Sequence, residues 1–156
     1  MAIRPSARRG FTLIEILIVV IILGILAAIV VPQFSNATSE ARNSSLSSTL
    51  ATLRVQIRIY AMQHNDILPN LTHGWEALTH KTDINGNIDP PNGPTFGPYL
   101  QTLPLNPLTG TPTPVVVDGT AFTPGADYVY DYNGGSGTGR IWGTTSTANT
   151  GALASY

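Results

Sequence analysis

The stretch FTLIEILIVVIILGILAAIVV, residues 11–31, decides the architecture: it carries one ionisable side chain, Glu15, in an otherwise apolar run. At about 1.5 Å of rise per residue, a helix of this length matches the roughly 30 Å hydrocarbon layer of a bilayer. An acid in such a helix costs up to about 2.5–3.5 kcal/mol at mid-bilayer and less near the end where Glu15 stands, so a partner charge is expected. The residues before it, Arg8-Arg9-Gly10, supply a candidate. Cleavage after Gly10 would leave a cationic α-amino group on Phe11, four residues from Glu15 and one helical turn away. Within one chain that pair is a local contact. Between neighbouring chains it becomes a docking signal that fixes axial register and strengthens as water is excluded.

Three ordinary readings compete. A secretory signal peptide, with Ser35-Asn36-Ala37 as its cleavage site, has too long an apolar region. A twin-arginine signal built on Arg8-Arg9 would place an acid inside the apolar core. A single-span anchor with Glu15 snorkelling to the interface satisfies hydropathy. None of them accounts for the order Gly-Phe-Thr-Leu-Ile-Glu. The stretch RRGFTLIEILIVVIILGILAAIVVPQF resembles the N-terminus of the type IV pilin and type II secretion pseudopilin superfamily. The resemblance implies that Gly10 is the last leader residue before prepilin peptidase cleavage and that Phe11 is the N-methylated mature terminus. It further implies that Glu15 meets the Phe11 amine of an adjacent subunit, and that the helix loosens between Gly24 and Pro32 on assembly. The known properties of these two residues agree, since glycine weakens a helix and proline removes one of its hydrogen bonds.

Composition bounds the remainder. Without residues 1–10 the chain has 146 residues, enough for a long helix and one small domain. Three of the eight basic residues (Arg4, Arg8 and Arg9) lie in the leader, leaving five against nine acids and a net charge of −4. A nucleic-acid-binding basic patch is therefore not expected. By the positive-inside rule the leader stays cytoplasmic, which puts the chain after Val31 on the far side of an inner membrane. Cysteine is absent, so neither a disulfide nor thiolate chemistry contributes. In the superfamily, a C-terminal disulfide marks many adhesive pilins and is generally missing from major pseudopilins, so the resemblance favours the major, G-type pseudopilin.

Past the apolar run, Leu46, Leu50, Leu53, Ile57 and Tyr60 recur at helical spacing with polar residues between them, an amphipathic stripe that predicts one helix over residues 11–64. Asn65-Asp66 and Pro69 end it, and Trp75, Ala77 and Leu78 suggest a short second helix. Nine of the twelve prolines fall between Pro90 and Pro124, so regular structure there must be brief. Within that span Tyr99 to Gly110 resembles a proline-set loop of major pseudopilins. Residues 127–132 and 140–142 read as a hairpin around the glycine-rich 133–139, with 115–117 as a third strand. The expected fold is α+β: a long N-terminal helix, membrane-spanning over 11–31, with a small antiparallel sheet in a 65–142 head packed on its outer half. The small and polar residues 143–156 predict a flexible tail.

Catalytic residues are not expected. The glycine run lacks phosphate-loop spacing, and His64, His73 and His80 lack helical ligand spacing, so each histidine is read as a surface residue or as satisfying a local hydrogen bond. No cofactor is required. Calcium is the one ion to consider: the resemblance implies a site in a C-terminal loop, where Asp118, Asp127, Asp131 and Asn133 offer oxygen ligands. The family's acid-rich loop is replaced here by Ser136, Thr138 and Arg140, and the aspartates at 127 and 131 are equally read as solvent-facing strand residues.

The function expected from this reading is a structural subunit of a type II secretion pseudopilus. Its partners would be copies of itself, prepilin peptidase, an inner-membrane assembly platform and minor pseudopilins. The alternatives are a type IV pilin serving adhesion, motility or DNA uptake, and a membrane-tethered module that binds a ligand through its tyrosine- and glycine-rich hairpin.

Overall fold

The computed structural model describes residues 10–72, 74–146, 148 and 151–154. The chain divides into two compact units, 1–40 and 41–156.

Helix α1 runs Leu13–Gln63. Thr12 starts it: its Oγ1 accepts from the Glu15 amide at 3.3 Å, while the Glu15 carboxylate accepts from the Thr12 amide at 2.9 Å. This reciprocal capping box satisfies two amides that the first helical turn would otherwise leave open. Pro32 lies inside the helix, where it has no N–H to give to the carbonyl one turn back. Among residues 10–40 of the first unit every side chain is exposed, and the helix is long and apolar enough to cross a membrane.

In the second unit the stripe read from the sequence becomes the core. Leu46, Leu50, Leu53, Ile57 and Tyr60 are all buried and meet Leu71, Trp75, Leu78, Tyr128, Tyr130 and Ile141. Helix α1 ends where Asn65 and Asp66 adopt positive φ of 53° and 62°, a left-handed pair that polar side chains of this size tolerate. Helix α2, Glu76–Thr79, follows as expected. Trp75, just before it, lies perpendicular to the Tyr128 ring with centroids 5.3 Å apart and donates its indole N–H to the Pro114 carbonyl at 2.9 Å.

Three short strands form one sheet in the order β1-β2-β3: β1 Val116–Asp118, β2 Tyr128–Tyr130 and β3 Ile141–Gly143. The hairpin of β2 and β3 is antiparallel, with Val129 opposite Trp142, as the sequence predicts. The antiparallel expectation fails for the other pair: β1 runs parallel to β2, with Val117 opposite Val129. A tight turn would have reversed the chain. Residues 119–127 instead form a long connection that carries it back to the same end before β2 begins.

Two contacts seat the sheet on the second-unit part of α1. Arg54 donates to the Ile141 carbonyl at 3.2 Å. At Gly143, a Cβ would lie 2.8 Å from Leu46 Cδ1, so the missing side chain lets that leucine pack directly on the strand backbone, and a larger residue would push it away.

The expectation of a flexible segment from residue 143 onward is corrected among the described residues. Gly143 belongs to β3, Thr144 is fully buried and bridges Leu153, and the buried Ala154 donates its amide to the Gly143 carbonyl at 2.8 Å. Small residues predict looseness when nothing packs on them, whereas here they allow the close approach of backbone to backbone.

Candidate functional site

The N-terminal group of residues comes first. Gly10 has open space around it, Phe11 is 80% exposed, and Thr12 and Glu15 are locked together. Both bonds that Glu15 accepts, from the Thr12 amide and from the Thr12 hydroxyl at 2.8 Å, fall on Oε2. Thr12 is a neutral partner that the expectation of a charged one does not include, although Thr-x-x-Glu ahead of an apolar run is the signature of a capping box. A carboxylate can accept about four hydrogen bonds. Thr12 thus orients Glu15 and uses half of that capacity. Gly24 and Pro32 both lie within a continuous α1, with no side chain near Gly24. The leader arginines Arg4, Arg8 and Arg9 lie outside the described residues.

The four oxygen donors weighed for calcium do not converge. Asp118, Asp131 and Asn133 line one open cleft with Gly119 and Thr120. Asp127 is elsewhere and fully buried, which also corrects its reading as a solvent-facing strand residue. Its Oδ1 accepts hydrogen bonds from the Thr109 and Thr111 hydroxyls, and its Oδ2 accepts from the Val115 amide at 2.7 Å. In the cleft, Asp118 Oδ1 accepts from the amides of Tyr132 and Asn133 at 2.9 and 3.0 Å. Asp131 Oδ2 accepts from the Thr138 amide at 3.0 Å and the Thr138 hydroxyl at 2.5 Å. The Thr138 bonds, with a smaller contribution from the charge of Arg140, hold the Asp131 carboxyl below its usual range. Calcium takes six to eight oxygens. Among the described residues no three acidic, histidine or cysteine side chains gather as a metal-binding set. The residues present therefore do not fit the implied ion.

Sequence reasoning passed over Asn106, read only as part of a proline-set loop. It is buried, and its Nδ2 donates to the carbonyls of Asp127 at 2.8 Å and Thr144 at 2.9 Å while its Oδ1 accepts from the Leu108 amide. No periodicity announces such a residue, because it serves three separated segments at once. His64 is buried, bonds the Tyr60 carbonyl and the Thr82 hydroxyl, and stacks on the Tyr60 ring at 3.8 Å. His80 is exposed, and His73 lies outside the described residues.

Known proteins resolve what this arrangement belongs to. Residues 5–31 match the family model of the prokaryotic N-terminal methylation motif. The type II secretion system core protein G of Pseudomonas aeruginosa is 39% identical over 111 residues, covering 71% of this chain and 75% of its own length. That of Vibrio cholerae is 34% identical over 135 residues, covering 83% and 86%. The chain belongs to the core protein G family, the major pseudopilins. A third member, from Klebsiella michiganensis, is 33% identical over 110 residues, covering 69% of this chain and 72% of its own length. No solved structure matches. As a pseudopilin the chain is a component of a multi-subunit assembly, and its exposed apolar helix with a prepilin motif fits an anchor in the inner membrane.

Proposed function

We propose that this chain is the filament-forming subunit of a type II secretion pseudopilus, held in the inner membrane by residues 11–31 until it is extracted into the filament. Its work is mechanical rather than chemical: a filament growing from the membrane pushes cargo outward. The observation that carries the reading is the prepilin motif joined to an apolar helix whose side chains over residues 11–40 are all exposed. A stable chain cannot leave so long an apolar surface in water, and the two environments that cover it are lipid before assembly and other copies of the helix afterwards. The leader stays on the cytoplasmic side, residues 41–156 lie beyond the membrane, and prepilin peptidase, an assembly platform and minor pseudopilins act on the chain in turn.

Processing is the direct test. Mass spectrometry of the mature protein is expected to find an N-methylated Phe11 at its terminus; a start near Thr38 would make the segment an ordinary signal peptide. Gly10→Val should leave the leader attached, because a branched side chain crowds the peptide bond that the peptidase must reach. An immunoblot showing normal conversion to the shorter form would remove Gly10 from the cleavage site.

The pairing of Glu15 with the amine of a neighbouring Phe11 follows on the same reading. Thr12 already fixes the carboxylate near the helix start, so the incoming amine meets an oriented acceptor and less side-chain entropy is lost on docking.

A further inference from the structure

Each carboxylate in the region where the family resemblance implies calcium is already engaged by this chain's own donors. Asp127 shows it most fully, with two hydroxyls on one oxygen and an amide on the other, all supplied by residues 109–115. Bonds from N–H and O–H groups to an ionised acceptor are about twice as strong as neutral ones. They answer the desolvation that a fully buried carboxylate would otherwise suffer.

Asn106 completes the connection. Through one amide nitrogen it holds the backbone of Asp127, just before β2, and the backbone of Thr144, just after β3. Thr144 adds a bond from its own hydroxyl to the Ala126 carbonyl at 2.6 Å. In the cleft, Asp118 is taken up by two backbone amides of the hairpin. Asp131 is taken up by Thr138 and feels the positive charge of Arg140, whose guanidinium lies 5.7 Å from the centre of the Trp142 ring. A cation stacked on an aromatic face is held in place by the ring as well as by its charge.

We infer that Asn106, Asp127, Thr109 and Thr111 form a metal-independent clasp that joins the 106–115 loop to the open end of the β2-β3 hairpin, where β2 begins and β3 ends. This replaces with fixed side chains the cross-linking that a bound divalent ion would perform. The stability of the second unit is then indifferent to calcium. The clasp does not rest on the filament assignment: a chain that assembled normally but melted in a calcium-dependent way would sink the clasp alone.

The experiment uses the mature full-length chain in detergent, with thermal melting followed by near-ultraviolet circular dichroism in EDTA and in millimolar calcium chloride, beside elemental analysis of the dialysed protein. Equal melting temperatures in the two buffers are expected, with no stoichiometric calcium retained. Asn106→Ala should lower the melting temperature by about 4 °C or more, equally in both buffers, because three bonds at the junction are lost together. Thr109→Val and Thr111→Val, close to isosteric, remove the hydroxyl donors with less risk to folding and should also lower it in both. Failure of Asn106→Ala to fold in either buffer supports the clasp, whereas its rescue by calcium overturns it. A wild-type melting temperature raised several degrees by calcium, and lost in Asp118→Asn or Asp131→Asn, would establish a cation site in its place. Unchanged melting of all three clasp variants would equally overturn it.

Discussion

Glu15→Leu is expected to abolish filament formation while leaving membrane insertion intact or improved. The two outcomes separate because the substitution acts on different surroundings. In lipid, an acid inside a spanning helix is replaced by a residue the bilayer favours, so insertion gains. In the proposed filament, the Phe11 amine of a neighbouring subunit loses its partner, and breaking a buried ion pair from one side costs about 3–5 kcal/mol. That is a loss of more than a hundredfold in the association constant at each subunit contact. Leucine also cannot return the capping bond to Thr12, so the first turn of α1 loses its reciprocal cap as well. A control distinguishes the two effects: Glu15→Gln keeps a cap acceptor and deletes the charge, and it should fail in assembly nearly as fully. The measurement is filament recovery by shearing, beside carbonate extraction of membranes. Wild-type filament yield from Glu15→Leu would reduce the acid to a helix cap and nothing more.

How far the structure was legible in advance follows from the range of each interaction. The Leu46 to Tyr60 stripe is a local period, readable because helix geometry repeats every few residues, and every member of it proved buried. The β2-β3 hairpin was legible for a similar reason: a glycine-rich loop joins two β-branched and aromatic runs close together in sequence. The parallel pairing of β1 was not, since nothing in residues 119–127 states which way a long connection will return. The Thr12–Glu15 cap is legible as Thr-x-x-Glu, but an acid in an apolar run points first to a charged partner, and here the partner is a neutral hydroxyl three residues away. Asp127 shows the deeper limit. Strand alternation put it with Asp131 on one face, but β2 begins only at Tyr128, so period two does not extend back to it. What fixes Asp127 is a set of donors twelve to eighteen residues upstream, which have no spacing rule. The same limit applies to Asn106 and to the returning residues Thr144, Leu153 and Ala154.

Leu50→Ala should unfold much of the second unit at temperatures where the parent chain is stable, while Val55→Ala, five residues along the same helix, should be nearly silent. Leu50 is fully buried among Leu46, Leu53 and the sheet residues, whereas Val55 is 55% exposed. Five residues turn the helix by about 140°, which carries Val55 to the side away from the core. Truncating a buried leucine typically costs about 2–5 kcal/mol, combining lost transfer energy with the cavity left behind. A domain of this size has about 5–15 kcal/mol in total, so the loss is a large fraction of its stability. An exposed substitution away from special contacts stays within about 0.5 kcal/mol. Limited proteolysis of detergent-solubilised protein reads the difference, since cleavage follows the population of the opened state. Both variants should still enter the membrane, because residues 11–31 are untouched. Equal protease resistance of the two variants would mean that the α1 stripe does not carry the core, and the packing of the sheet on its outer half would have to be redrawn.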